Sequence, residues 1–252
     1  VYISADQCIG YVVYTTDYDA SVVYRKIIAY SRDKPTYQWR YRQTLEDRKM
    51  YATDLPSACA IQADGHLLVA SVCQGDKGGY VFSYQTDDGL TWKADQYYQE
   101  TTPGYGCSVA LSSNGAQLAI GTYCLDQPGQ VHCYQTGHPI STLLQYEFPY
   151  LDLFGSTVAI DPVSDLLIVG APRTEPLVYH EQLPLQGCGQ VYFYHYRDMQ
   201  WCRSLHPQHH KVGKTQYGHR ITIEGDKLLI ADAQTVYKLP AEEWRVPPLL
   251  SF

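Results

Sequence analysis

One pattern recurs five times along this chain, and it restricts the folds available more than any other feature. Its clearest copy is residues 154–172, FGSTVAIDPVSDLLIVGAP: an aromatic-glycine pair, an alternating run, a turn, and a second run that stops at Gly-Ala-Pro. Residues 105–122 (YGCSVALSSNGAQLAIGT), 217–233 (YGHRITIEGDKLLIADA) and 55–72 (LPSACAIQADGHLLVASV) follow the same plan, and the opening VYISADQCIGYVVYTT is a degenerate copy. The turn pairs Asp64-Gly65, Asn114-Gly115 and Gly225-Asp226 are strong hairpin signals, because tight hairpin turns need residues that accept positive φ. A Tyr-bearing run follows each hairpin, at 26–31, 80–85, 130–135, 190–196 and 235–239, and a fourth run comes after it. Trp39, Trp92, Trp201 and Trp244 mark the start of that fourth run, and the third copy has residues 140–146 there without a Trp.

Four antiparallel strands in about 50 residues, repeated, are the pattern of propeller blades. A lone sheet of this kind leaves an apolar face in water, and stacking the next sheet on it removes that face. The spacing predicts one all-β domain over 1–252, a five-bladed β-propeller of four-stranded antiparallel blades at 3–46, 55–99, 105–147, 154–204 and 217–246. The innermost strands are expected over 57–63, 108–112, 156–160 and 220–223. Gly106, Gly155 and Gly218 belong there because backbones converge, and the preceding Tyr105, Phe154 and Tyr217 plug the gap between neighbouring blades. Gly121 and Gly170, with Ser71 and Asp232 as counterparts, end the second strand, where glycine permits a bend or an unusual φ, and Pro172 stops the ladder. Ring closure is expected from side-chain packing between the first and fifth blades, or from further blades elsewhere in a larger protein. The tail, 247–252, is expected to pack on the ring or reach a neighbour.

The segment FGSTVAI…LLIVGAP resembles an FG-GAP repeat, the unit of the integrin α-chain propeller and of many surface proteins. The resemblance runs over all five units, roughly 3–246, closest in the fourth. It implies a propeller, and it implies non-catalytic recognition or scaffolding in a surface, secreted or virion protein. FG-GAP repeats often carry a DxDxDG calcium loop between the first two strands. The corresponding turns here, 62–66, 112–116, 161–165 and 224–227, lack that set of oxygens; Asp161 and Asp165 come nearest. The resemblance is therefore to the calcium-free branch, with no metal and no cofactor expected.

Composition narrows the partners. Net charge is −7, and the densest basic stretch, 40–49, is interrupted by Glu46 and Asp47, which points away from nucleic acid. No apolar run approaches the ~18 residues of a membrane span. The chain starts at Val1, so a processed or truncated N-terminus is expected. Tyr occurs 24 times against 5 Phe, which suits strands with one dry and one wet end. Asn114 is the only Asn and is followed by Gly-Ala, so no N-glycosylation acceptor exists. Eight cysteines without a CxxC pair are compatible with disulfides or with buried thiols. Cys59 and Cys73 bracket one hairpin and Cys107 and Cys124 the next, so each pair could link two strands.

Two long connections, 172–189 and 204–217, should emerge as neighbours on one rim. They supply the candidate binding residues: Arg173, Leu177, Tyr179, His180 and Glu181 in the first, and His206, His209 and His210 in the second. The expected ligand is a protein partner or neighbouring subunits in a homo- or hetero-oligomeric assembly. His206, His209 and His210, with His180 or His219, lack metal-ligand spacing and read as a solvated, pH-sensitive loop. A glycan-binding, lectin-like propeller is the alternative, on the strength of the Tyr content. A five-bladed-propeller glycoside hydrolase is the second alternative; it needs two placed carboxylates, with Asp17, Asp54, Asp152 and Asp232 as candidates. No Gly-x-Ser-x-Gly elbow and no phosphate-binding glycine loop occurs, so no catalytic residues are assigned.

Overall fold

The structure, a computed structural model, describes residues 2–3, 9–17, 23–32, 38–45, 56–62, 66–123, 127–136, 138, 141–145, 153–172, 189–197, 200–203 and 216–245. Within them the chain is all-β apart from single helical turns. The first antiparallel sheet is β1 (Tyr2–Ile3), β2 (Ile9–Asp17), β3 (Val23–Arg32) and β4 (Trp39–Leu45). The second is β5 (Pro56–Ile61), β6 (Leu67–Cys73), β7 (Gly79–Gln85) and β8 (Lys93–Glu100). The third is β9 (Ser108–Leu111), β10 (Gln117–Gly121), β11 (Gln130–Gln135) and β12 (Ser141–Gln145). The fourth is β13 (Thr157–Ile160), β14 (Leu167–Ala171), β15 (Gln190–Arg197) and β16 (Gln200–Arg203). The fifth has three strands, β17 (Arg220–Glu224), β18 (Lys227–Ala231) and β19 (Val236–Pro240), followed by the one-turn helix α1 (Ala241–Trp244).

Strands follow sequence order within every sheet, and the first strands of successive sheets lie side by side: β1 by β5, β5 by β9, β9 by β13, β13 by β17. The meander repeats because each hairpin turn and each short connection returns the chain to the adjacent edge. Alternate residues of one strand then serve different seams. In β14, Leu167, Val169 and Ala171 face the third sheet while Ile168 faces the fifth. In β15, Tyr192 and Tyr194 face the third sheet while Val191 and Phe193 face the fifth. Burial on both faces explains why these strands are apolar at nearly every position.

The aromatic-glycine pairs hold the seams together. Tyr105, Phe154 and Tyr217 are essentially without solvent exposure, and burying such a ring contributes ~2–3 kcal/mol. Each following glycine has a left-handed backbone, φ +84 at Gly106, +86 at Gly155 and +88 at Gly218, which a side chain would strain. The preceding sheet closes around the pair from two sides. A Cβ on Gly121 would fall 1.9 Å from the Gly155 oxygen, and one on Gly170 would fall 2.3 Å from the Gly218 oxygen. At the seam between the second and third sheets Ser71 takes this place, and its hydroxyl donates to the Gly106 oxygen at 2.6 Å. The other side is a glycine at the head of the third strand, which the sequence analysis did not single out. A Cβ there would fall 2.1 Å (Gly79), 1.9 Å (Gly129) or 1.7 Å (Gly189) from the oxygen of Tyr105, Phe154 or Tyr217.

Several expectations need correction. Gly121 and Gly170 have ordinary φ; close approach, not an unusual dihedral, demands glycine there. The counterpart of Gly170 is Ala231, not Asp232: Gly155 N–H donates to the Gly170 oxygen and Gly218 N–H to the Ala231 oxygen. The last hairpin has a shorter turn, so alignment by sequence slips by one position. Trp244 lies in α1 rather than at the start of a strand, because the chain coils after Pro240. No described core cluster joins the fifth sheet to the first, and Trp39 and Tyr41 on the first sheet and Val236 on the fifth are 39%, 59% and 55% exposed. The tail, 247–252, lies outside the described residues.

The seam between the fourth and fifth sheets carries a further tie where an integrin-type repeat would hold calcium. Asp161 is fully buried, and Arg245 reaches it with Nε to Oδ2 at 2.9 Å and Nη2 to Oδ1 at 2.8 Å. The same guanidinium donates to Asp226 Oδ1 at 2.8 Å and to the Gly225 oxygen at 3.0 Å. The charge that Asp161 requires is thus supplied by an arginine from the following sheet. Asp165 is pushed above the usual carboxylate range by burial and by the neighbouring charge of Asp161.

Three outcomes follow. Gly129→Ala should destabilise the protein by ~2–3 kcal/mol through overpacking. Gly75→Ala, with φ +63 and nothing within 4 Å of the added carbon, should lose only ~1 kcal/mol; urea unfolding of the two reads the difference. Arg245→Met should lose ~3 kcal/mol by stranding the Asp161 carboxylate, and adding Asp161→Asn should recover part of it in a double-mutant cycle. His132, buried edge-on to Tyr105 with ring centroids 5.1 Å apart and neither nitrogen hydrogen-bonded, is held down to about 4 by burial. The unfolded chain therefore takes up a proton that the folded chain refuses between about pH 6.5 and 4. Stability should fall on acidification through that window, by up to ~1.4 kcal/mol per pH unit, and His132→Phe should remove this component from the pH-dependent melting curves.

Candidate functional site

Between the third and fourth sheets lies a pocket of about 200 Å³ lined by Gln117, Cys133, Tyr134, Gln135, His138, Thr142, Tyr196 and Trp201. The strand pairing explains why these residues meet. Gln117 opens β10 and pairs with Gln135 at the end of β11, so both amides stand at one edge and on one face. Thr142 pairs with Cys133 one strand further out. Across the seam, Tyr196 pairs with Trp201, and their rings sit 5.2 Å apart at 55°. Gln135 Nε2 donates to the Tyr196 hydroxyl, which fixes the distance across the pocket. The Gln117 Oε1 is buried and has no hydrogen-bond partner.

Two other seams show why the pocket is here. Trp92 occupies the matching place between the first and second sheets, 4% exposed, with its backbone held on both sides by the Gln43 amide. Trp244 fills the place between the fourth and fifth sheets at 1% exposure. Trp201 is only half-buried. Opposite it the third sheet presents two glutamines instead of aliphatic side chains, so the seam stays open.

This pocket sits on the edge carrying the turns after first and third strands. The 172–189 connection joins β14 to β15 and therefore leaves from the opposite edge. The candidate residues Arg173, Leu177, Tyr179, His180, Glu181, His206, His209 and His210 all lie outside the described residues. The bases of the two connections are in contact, since Gly189 abuts the Tyr217 backbone.

Two carboxylates described elsewhere are engaged in holding the chain. Asp232 accepts from Gln234 N–H at 2.7 Å, Thr235 N–H at 2.6 Å and the Tyr237 hydroxyl at 2.8 Å, so this candidate acid organises its own turn. Asp88 likewise accepts from Leu90 and Thr91 N–H, and those bonds hold its carboxyl below the usual range. Of the other candidate acids, Asp54 and Asp152 lie outside the described residues, and Asp17 ends β2. His219 is exposed in the turn before β17. Among the described residues no three metal-ligating side chains cluster, and no helix is long and apolar enough to cross a membrane.

The hairpin disulfides that the spacing allows are not formed by the described cysteines. Cys59, Cys73, Cys107, Cys133 and Cys202 carry thiols. Cys59 pairs with Ala70, which puts Cys73 three residues further along its strand, ~10 Å away and beyond the reach of a bridge. Cys107 instead directs its sulfur across the seam towards the Gly155 oxygen at 3.7 Å. Burial pushes both Cys59 and Cys107 up to about 12 and raises Cys133 as well, so these thiols stay protonated and unreactive at neutral pH. Cys8, Cys124 and Cys188 lie outside the described residues.

No protein-family model and no curated protein matches the chain. The FG-GAP resemblance accordingly rests on its motif. Solved structures do match. The chain is 10% identical to the Dos1 propeller, with a TM-score of 0.56, over 92% of this chain and 55% of that one. A protein from Lactobacillus plantarum is 15% identical, with a TM-score of 0.52, over 92% of this chain and 65% of that one. One of two prolyl endopeptidases is 10% identical, with a TM-score of 0.53, over 94% of this chain and 35% of that one. The chain thus spans 35–65% of the length of these three. The likeness is one of fold, and the fold is that of a β-propeller.

Proposed function

We propose that the five sheets are five blades of an FG-GAP-type propeller of the calcium-free kind, and that the protein is a non-catalytic recognition or scaffold module. Its binding surface is the rim formed by the connections 172–189 and 204–217, and its ligand is a protein partner or a neighbouring subunit. A surface, secreted or virion location belongs to this reading through the FG-GAP resemblance alone, because the described cysteines lend it no cross-links. What supports the choice of rim is the length of these two connections, whose described ends, Gly189 and Tyr217, abut as the matching pairs do at the other seams. The engagement of Asp88, Asp161 and Asp232 in turns and seams supports a scaffold over a hydrolase, since paired-carboxylate chemistry needs acids directed at a substrate.

The test is a binding measurement on the intact chain and on one whose 172–189 connection is shortened to a tight turn. Partner or self-association, read by sedimentation and cross-linking of the purified chain and by affinity capture, should fall at least tenfold in the shortened form. Its melting temperature should stay within a few degrees, because the entropy of closing a connection changes only slowly with its length. Undiminished association in the shortened chain would refute the choice of rim.

A further inference from the structure

We infer that the pocket between the third and fourth sheets binds a single neutral sugar ring, with Trp201 as the stacking face and Gln117, Thr142 and His138 as hydrogen-bonding groups. This site lies on the edge opposite the rim connections and does not depend on the rim reading.

Size sets the first limit. The volume is about 200 Å³; a cavity of about 150 Å³ is enough to hold benzene, so one six-membered ring fits and an extended chain does not. Charge sets the second. The lining has amides, hydroxyls, an imidazole and a buried thiol but no carboxylate, lysine or arginine, which leaves no counter-charge for an ionic ligand. The whole chain carries a net charge of −7, which disfavours polyanions further.

Hydrogen bonding sets the third limit. The buried Gln117 Oε1 has no donor, and a buried acceptor left unsatisfied is unfavourable. A ligand hydroxyl supplies that donor, and the Gln117 amide N–H₂ can donate to an adjacent hydroxyl, the paired arrangement that vicinal hydroxyls of a sugar match. Aromatic geometry separates a sugar from a flat heterocycle. Tyr196 and Trp201 touch each other at 5.2 Å and 55°, so they offer one face and one edge. A nucleobase slot needs two parallel faces with a gap between them. The Gln135 to Tyr196 hydrogen bond keeps this arrangement in place without ligand, which limits the ordering loss on binding.

The decisive measurement is saturation-transfer NMR, together with tryptophan-fluorescence titration, on the intact protein with D-glucose, D-galactose, D-mannose and N-acetyl-D-glucosamine, and with adenosine as the flat-ring comparison. At least one of the sugars should bind with a dissociation constant in the millimolar range, on the order expected for one small ring, and adenosine should not. Gln117→Met should weaken binding roughly tenfold and Thr142→Val several-fold. Trp201→Ala should abolish it, with Gln117→Met serving as the reporter if that variant unfolds. The chain with a shortened 172–189 connection should bind the sugar as the intact chain does. Absence of transfer to all four sugars at ~20 mM, preferential binding of adenosine, or undiminished sugar binding in Gln117→Met would each overturn the inference.

Discussion

Backbone meets backbone at the seams between sheets, and the rest of the architecture depends on that approach. An aromatic ring from one sheet enters the gap while its own carbonyl and the next glycine lie against two small positions of the preceding sheet. Sheets that lean together this closely near their first strands must splay further out, and bulky side chains fill the wedge. That is why Tyr80, Tyr84, Tyr134, Tyr192 and Tyr194 are buried in the third strands while glycine heads the second, third and fourth of them. The small positions and the large ones are two halves of one geometric requirement.

The same geometry separates two faces by role. On the edge bearing the turns after first and third strands, polar side chains are spent on structure: Asp161 receives Arg245, Asn114 organises its turn with Ser112, and Asp88 holds Leu90 and Thr91. The open pocket on that edge lies where the filling of a seam is incomplete, at Trp201. The connections after second strands and between sheets leave from the opposite edge, and their lengths differ from sheet to sheet. Variation of this kind on a repeated frame is how propellers acquire particular ligands.

Much of this was readable from residues. The alternating runs, the glycine-bearing turns and the recurrence of both led to antiparallel four-stranded units, and four of the five sheets have that form. The plug role of Tyr105, Phe154 and Tyr217 was legible because a pairing of ring and glycine that recurs in three of the five units has few other uses. Less legible were features that need a third dimension or a register. Gly79, Gly129 and Gly189 carried a signal, a glycine two residues before Val81, Val131 and Val191, but its meaning lies in a contact with another sheet. Asp232 was misaligned because a hairpin turn shorter by two residues leaves no mark on hydrophobicity. Cys59 and Cys73 looked bridgeable in sequence, and three positions of register placed them apart.

The sequence by itself determined the strand pattern, the repeat length and the demand that each sheet be covered on both faces, because periodicity and side-chain size are properties of the chain alone. The tertiary structure alone decided which seam stayed open, which cation satisfied Asp161, and which edge the glutamines at 117 and 135 would share. Those outcomes depend on residues 18 to 84 positions apart meeting across strands and seams, and no local pattern encodes a meeting between segments whose positions are set by all the packing between them.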